Sequence, residues 1–440
     1  VASQVLSGRK AARERAAPAV VVRRIVAVVV VVLIAMRIEL QFGLTVGYLA
    51  AAALAPLWFP VLREYRGARA LLIAGLVALG SGLWLTELAR DTHEISLGIA
   101  AGWTFRLAGV LCSVGFILWA RKVIPGSWLA LCFGLGLLAG GPTASELYEQ
   151  NPWRFGFSFA VSIIVLALAT LAGRRWLGFV AALGLTVVAM FTDARSSFAI
   201  LLLTALLLGW QLLPARTARG RSGARVVIAL AALAVVVYNF GQAAIVAGYF
   251  GQTTQQRTIE QLDASGSLIL GGRPELAATL ALMQDRPIGF GVGTLPNLGD
   301  ILTAKSGMAE IGYEPNNGYV ERYMLGGHIE LHSLFGDLWA HFGIPGLALA
   351  GFILFLILRG IGATISARSA SPVLIFLVVT AGWTFFFGPF YSAERMLILT
   401  LGLVMLPGAS TTTVTTPPTG TSPPRPSARN GRKRRSGLGA

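Results

Sequence analysis

Arg195, Arg273 and His332 are the residues whose types and settings point to chemistry in an otherwise apolar chain of 440 residues. Arg195 stands in Thr192-Asp-Ala-Arg-Ser-Ser197, between two apolar runs, and Arg273 in Gly271-Gly-Arg-Pro274. A guanidinium offers a fixed fork of N–H donors that suits phosphate oxygens, and the low dielectric at a membrane boundary strengthens the attraction. The two glycines before Arg273 let the backbone approach closely, and the proline after it opens a helix whose N-terminus adds positive field. His332 is one of only four histidines. Histidine titrates near neutrality and can act as a general base, the more so where neighbouring arginines disfavour its protonated form. Two anion clamps and one base are the parts needed to grip a diphosphate and activate a hydroxyl.

Each assignment has a plainer competitor. Arg195 can snorkel to water or pair with Asp193, Arg273 can be a solvated loop charge, and His332 can hydrogen-bond a carbonyl at a helix start. Arg257 and Arg286 share the hydrophilic stretch with Arg273 and are weaker candidates. Arg106 lies inside an apolar segment, where an ionisable side chain is a functional candidate by default. If its helix starts near Ala101, it lies within snorkelling reach of water. His341 follows Asp337 by one helical turn, the spacing of a structural ion pair. His328 and His332 with Glu330 between them invite a zinc reading. On a helix, however, the glutamate would face the other way, and the order matches no zinc-protease motif. The Gly289-Phe-Gly-Val-Gly293 run has no preceding strand to make it a nucleotide loop and reads as a turn. Cys112 and Cys132 sit within apolar segments as packing residues.

The elements that must position these groups are transmembrane helices. Apolar residues make up 55% of the chain, charged ones 13%, and mean hydropathy is +0.69, which excludes an ordinary soluble domain. Apolar runs able to cross a hydrocarbon core of roughly 30 Å are expected at 20–36, 42–62, 70–88, 98–120, 126–141, 156–173, 176–192, 196–213, 226–247, 331–358, 372–390 and 393–407. The fold class is therefore all-α, a polytopic membrane protein of about twelve spans. A large, partly helical outer loop lies between the ninth and tenth.

Positive charge orients the chain, because cytoplasmic loops retain Lys and Arg. With the N-terminus inside, the cytoplasmic segments are 1–24, 63–69, 121–125, 174–175, 214–225, 359–371 and 408–440. They hold 25 of the 36 basic residues and, of the acids, only Glu14 and Glu64. Anionic lipid headgroups account for this basic excess, so nucleic acid is not an expected partner. The order is a basic N-terminus at 1–24, spans across 25–247, an outer cap at 248–330, spans across 331–407 and a tail at 408–440. The tail is rich in Thr, Ser and Pro and carries Arg432, Lys433, Arg434 and Arg435, the composition of a disordered end that hugs lipid. The N-terminal basic run leads into valines without a cleavage pattern and reads as a retained anchor. An excess of Arg over Lys and abundant Ala point to a GC-rich bacterial source.

Within the cap, a helix is expected from Pro274 to Asp285, broken by Pro287 and the glycines at 289, 291 and 293. The chain is expected to be helical again after Gly327, with His328 and His332 one turn apart and a kink at Gly343-Ile-Pro345-Gly346.

In order and spacing these features resemble the O-antigen ligase and O-antigen polymerase superfamily of bacterial membrane glycosyltransferases. Arg195-Ser-Ser is similar to that family's Ser-Arg-Ser/Gly element, with Ala194 in place of the common Ser. Arg273 through Pro287 and Gly289-Phe-Gly-Val-Gly293 follow its arginine, short helix, Pro and Gly-x-Gly order. His332-Ser-Leu-Phe followed by His341-Phe-Gly-Ile-Pro-Gly resembles its His-Asn and Gly-Ile/Leu-Pro-Gly signatures, with Ser333 in place of Asn. The resemblance covers most of the chain and is strongest from residue 193 to 346.

The resemblance implies an inverting, metal-independent transferase without cofactors. It would use an undecaprenyl-diphosphate-linked glycan donor at the outer face of the cytoplasmic membrane, with both termini inside. Arg195 and Arg273 would bind the diphosphate and His332 would deprotonate the acceptor hydroxyl. The acceptor would be a glycan, lipid or protein for a ligase, or a second lipid-linked glycan for a polymerase. Fixed guanidiniums would stabilise the charge that develops on the departing diphosphate. A pair of catalytic carboxylates, as in glycosidases, is not indicated. A secondary transporter is the competing reading of another class. Against it, the major loop is outer and follows the ninth segment, and the two halves show no evident symmetry.

Overall fold

A computed structural model describes residues 2–141, 146–192, 194–213 and 273–408, with scattered positions between 228 and 262. Arg257, Asp193, the 214–225 segment, most of the 226–247 and 248–272 stretches and the tail from 409 lie outside the described residues. Regular structure among the described residues is helical, with only isolated bridges such as Ile95 with Thr294. The helices are α1 (Ala2–Met36), α2 (Val46–Ala53), α3 (Ala55–Trp58), α4 (Ala68–Leu88), α5 (Leu97–Val123), α6 (Gly126–Ala139), α7 (Glu146–Gln150), α8 (Ser158–Leu171), α9 (Arg175–Phe191), α10 (Arg195–Leu212), α11 (Glu275–Asp285), α12 (Leu298–Glu310), α13 (Leu334–Ser366), α14 (Pro372–Phe387) and α15 (Phe390–Val404). Their starts follow local chemistry. The side chains of Thr45, Ser96, Ser333 and Ser371 each accept a first-turn N–H, and Asn297 with Asp300 forms a reciprocal capping box.

Six helical stretches are long and apolar enough to cross a membrane: 18–36, 68–89, 97–123, 153–171, 195–212 and 334–366. The pair 46–53 and 55–64 makes a seventh if its 57° bend is taken within one span. Of the other expected segments, 126–139, 175–191 and 372–387 are shorter apolar helices, and Phe390–Val404 has 15 residues. The expected 226–247 span falls mostly outside the described residues. Helix α4 shows how such a helix divides its surface. Ile73, Leu76, Val77, Leu83 and Trp84 form an exposed apolar stripe, while Leu71, Gly75, Ala78, Gly82 and Leu85 are buried. A wholly apolar exposed stripe backed by small buried residues is the pattern of a helix facing lipid on one side and packed on the other.

Packing sorts the helix ends into two groups. At one end Lys122 pairs with Glu64 at 2.6 Å, the Arg66 N–H donates to the Leu406 carbonyl, and Gln211 on α10 donates to the Ala370 carbonyl ahead of α14. Gly178 near the start of α9 lies against Pro372. This end gathers the segments around residues 63–69, 121–125, 174–175 and 359–371 that carry the expected cytoplasmic charge. The opposite end collects the α4–α5 connection, the start of α10, the end of α14, the start of α15 and the segment from 273 to 333.

That segment folds as a helical cap with a core of its own. Ala278 and Leu282 of α11, Ala304 and Met308 of α12, and Phe290, Val320, Ile329 and Leu331 are buried together with Trp339 and Ala340 of α13. Helix α11 runs as expected, with Pro274 at its cap, whereas α12 has no counterpart among the expected elements. Residues 289–293 are more than a turn, because they thread between α4 and α13. Phe290 and Gly291 N–H groups both donate to the Ala340 carbonyl, and the Val292 N–H donates to the Gly82 carbonyl. The Ala340 carbonyl is open because α13 breaks at Gly343, whose φ of 66° and ψ of −151° are not helical, next to Pro345. Gly291 has φ +108°, and a Cβ there would lie 2.4 Å from the Thr86 backbone nitrogen. Neither the conformation nor the space admits a side chain.

Gly291→Ala should therefore detach the cap, with a stability loss of about 1–3 kcal/mol from backbone strain alone. Gly351→Ala, mid-helix with nothing within 4 Å of the new methyl, should be neutral or stabilising. Thermal unfolding in detergent, with limited proteolysis across 273–333, compares the two. Equal behaviour would reject the threaded geometry.

Candidate functional site

His332 is held in an unusual backbone conformation by its neighbours. The segment after Gly327 is not helical, and α13 starts only at Leu334, so His328 and His332 are not one helical turn apart. His332 has φ +54°, left-handed for a residue with a side chain. Such strain persists only where the surroundings over-determine it, and it concentrates at functional sites. Here Leu331 donates its N–H to Asp337 Oδ1 at 2.7 Å, and Glu330 donates its N–H to the Met324 carbonyl. Ser333 on the other side caps α13 through its hydroxyl.

The imidazole is oriented by its own loop. Nδ1 lies 3.1 Å from the Glu330 carbonyl, which can only accept, so in the neutral ring Nδ1 carries the proton and Nε2 keeps its lone pair. Nε2 is 3.8 Å from Glu330 Oε1, and Glu330 Oε2 is 3.2 Å from His328 Nε2. With no helix to turn it away, Glu330 sits between the two histidines. Burial alone would raise its carboxyl, but the His328 bond and the His332 charge outweigh that and hold it below the ordinary carboxylate range. His328 is raised, chiefly by its hydrogen bond to Glu330, against a partial desolvation that lowers it. Among the described residues no group of three or more His, Cys, Asp or Glu side chains is arranged to hold a metal ion.

On one side of His332 lies Tyr319, ring centroids 6.3 Å apart. The Tyr319 hydroxyl donates to Glu275 Oε1 at 2.5 Å, and the nearby Arg273 charge also acts on it. Burial, followed by the Glu275 charge and hydrogen bond, pushes the phenol far above its usual range, so it remains a donor. Arg273 is half-buried, its guanidinium carbon 5.7 Å from the Trp383 ring centroid at the far end of α14. The structure thus gathers Arg273 and His332 around Tyr319, and Glu275 Oε2 is buried there without a hydrogen-bond partner among the described residues.

Arg195 begins α10, which runs antiparallel to α14, since Gln211 bonds the Ala370 carbonyl at the other end. Arg195 therefore lies at the same end of the bundle as Trp383 and Arg273. Its Nη1 donates to Thr258 Oγ1 at 3.4 Å. Arg286 has a structural setting, with Nε on the Gly289 carbonyl and Nη1 3.2 Å from His93 Nδ1. His93 in turn reaches Asp300 of the capping box at 3.0 Å, stapling the α4–α5 connection to the cap.

On the other side of Glu330 opens a cleft of about 480 Å³, lined among others by Phe42, Trp103, Arg106, His328, Glu330 and Tyr391. Helix α5 starts at Leu97 rather than near Ala101, so Arg106 is more than two turns inside and does not snorkel. It pairs with the buried Glu394 at 2.9 Å and lies 4.1 Å from the Tyr391 ring centroid, whose ring also meets Arg37 at 4.1 Å. Tyr48 donates to the second oxygen of Glu394 at 2.5 Å. Removing one partner of such a buried pair costs about 3–5 kcal/mol.

The expected His341–Asp337 ion pair does not form. Asp337 accepts from Leu331 and Phe390 N–H groups, and His341 Nε2 is 2.9 Å from the Ile329 carbonyl while its ring stacks on Trp103. Both side chains are fully buried, and backbone partners at fixed positions displace a contact within one helix. Sequence reading missed Tyr319, Glu275 and Glu394, and gave Asp337 a partner it does not have. Glu394 carried the same signal as Arg106, an ionisable group in an apolar run, while Tyr319 and Glu275 had none until the cap folded. Compared with known proteins, the chain matches no family model and no curated sequence.

The His328–Glu330 bond has a defined pH window. With His328 raised, its contribution is complete below the unfolded histidine value and fades as pH rises through the folded one. With Glu330 lowered, its contribution is complete above the unfolded carboxylate value and fades as pH falls through the folded one. Glu330→Gln should bring the His328 titration down towards the ordinary range, read from histidine NMR signals across pH. An unmoved His328 titration would reject the pairing.

Proposed function

We propose that this chain is an inverting glycosyltransferase of the O-antigen ligase kind. It moves a glycan from an undecaprenyl-diphosphate-linked donor to an acceptor hydroxyl at the outer face of a bacterial cytoplasmic membrane. The observation that carries the reading is the meeting of Arg273 and His332 around Tyr319, within the cap at the less basic end of an apolar bundle.

The chemistry follows from these groups. The donor diphosphate lies against Arg273, and because Glu275 offsets part of that charge, the second guanidinium, Arg195, is needed to hold a dianionic head. The acceptor enters by the cleft lined by Phe42, Trp103, Arg106 and Tyr391, where the exposed Phe42 ring suits a sugar face. His332 Nε2 takes the proton of its hydroxyl, and the oxygen attacks the anomeric carbon from the face opposite the diphosphate. The anomeric C–O bond breaks, its electron pair leaves with the polyprenyl diphosphate, and the anomeric centre inverts. Glu330, 3.8 Å from Nε2, stabilises the imidazolium. The arginines supply the positive charge that a divalent ion gives other transferases.

In proteoliposomes with a polyprenyl-diphosphate-linked glycan, His332→Ala should lower turnover about 10²–10⁴-fold, the usual scale of general-base catalysis, with donor binding retained. Arg273→Ala or Arg195→Ala should weaken donor binding as well, by the roughly 1.5–3 kcal/mol of a charged hydrogen bond. EDTA should leave transfer unchanged. Undiminished transfer in all three variants would overturn the assigned roles, and inhibition by EDTA that a divalent ion restores would overturn metal independence.

A further inference from the structure

At the basic end of the bundle, away from His332, lies a recess of about 200 Å³ where the α8–α9 turn, the end of α10 and the α13–α14 turn meet. Arg174, Arg175 and Arg368 line it with Gln211, Ser369 and Ser371, and among the described residues no carboxylate does. Arg174 and Arg175 have no carboxylate among the recess residues and also face a positive helix end, a costly arrangement. Arg174 and Arg175 occupy the N-cap and first position of α9, whose first N–H groups receive no side-chain cap. Acidic groups belong at such a terminus, and cations there are unfavourable. The start of α14 points at the same recess through Ser371.

A solvated basic face would be flatter and looser. Here Arg368 is half-buried, with φ +51°, its guanidinium 5.2 Å from the Trp210 ring centroid and donating to the Leu213 carbonyl. Gln211 is buried, tied to the Ala370 carbonyl at 3.4 Å. One arginine is thus anchored at the carbonyl end of α10, while the other two stay exposed around the opening.

We propose that this recess is a phosphate-binding site. The carrier of the phosphate is a membrane lipid headgroup or a free phosphate ion, and the surroundings favour the lipid. Leu168, Trp176, Leu212 and Leu213 are exposed apolar side chains beside the recess, on the helices that form it. Tryptophan at the level of headgroups, next to arginines between helix ends, is the setting in which anionic lipids bind membrane proteins. The site lies at the opposite end of α10 and α14 from Arg195 and Trp383, so it is independent of the proposed transfer reaction.

The test uses the purified full chain in detergent. Phosphatidylglycerol and phosphatidylcholine are titrated by native mass spectrometry, and inorganic phosphate by thermal shift. The wild type should bind phosphatidylglycerol saturably and in preference to phosphatidylcholine. Arg174→Gln with Arg175→Gln, both exposed and outside the packed core, should weaken that binding about tenfold or more, as expected for lost charged hydrogen bonds. Adding Arg368→Gln should abolish it. Arg23→Gln with Arg24→Gln removes equal charge from exposed positions on α1 and should leave binding unchanged. If inorganic phosphate saturates the site at millimolar levels and the double variant loses it, while lipid does not bind, the site stands with a free ion as its ligand. Absence of saturable binding by either probe, or equal binding by wild type and the 174/175 variant, would overturn the proposal.

Discussion

A single wholly buried carboxylate ties the candidate site together. Asp337, in the first turn of α13, accepts one backbone N–H from Leu331 and another from Phe390. The first bond fixes the residue before His332, and the second fixes the start of α15, which carries Tyr391 and Glu394. Both donors would otherwise be unsatisfied in an apolar interior, where an unpaired N–H costs about 1–3 kcal/mol. The loop with the strained imidazole, the wall of the cleft and the long helix beneath the cap therefore share one hydrogen-bonding anchor.

Around that anchor the molecule separates its ionisable groups by task. Among the groups buried in the bundle, Arg106, Glu394 and Tyr48 satisfy one another, Arg37 pairs with Glu39 and covers the Tyr391 ring, and together they fasten α2, α5 and α15 to the end of α1. Outside that set lie, among others, the part-buried His332 at one end and the exposed Arg174 and Arg175 at the other. Low dielectric makes the first set a matter of mutual compensation and leaves the second set available to ligands.

Periodicity and length carried the apolar helices, and the distribution of Lys and Arg carried the two-ended charge pattern. Pro274 and the glycines after Pro287 marked α11 and the break behind it, and Gly343 with Pro345 marked the kink in α13. Helix α12 escaped because its apolar face is short and packs only within the cap, so no long periodic run announced it. The start of α13 was misplaced for a local reason. Leu331 and His332 read as helical by composition, but Asp337 and Ser333 capture the N–H groups that set the boundary, and His332 is left outside in a left-handed conformation. Arg273 and His332 were legible as types, whereas the tyrosine and glutamate that bring them together are remote in sequence and became visible only through the folded cap.

The broken turn at Gly343 has a consequence for how this chain can vary. The Ala340 carbonyl, released by the break, is satisfied by N–H groups of residues 290 and 291 rather than by the helix to which it belongs. The cap segment is thus part of the hydrogen-bonding inventory of a long apolar helix, where no water stands ready as a substitute. It is not a module to be excised or grafted: a version trimmed of its glycine-rich run would need a straightened helix as well, so residues 289–293 admit no insertion or swap.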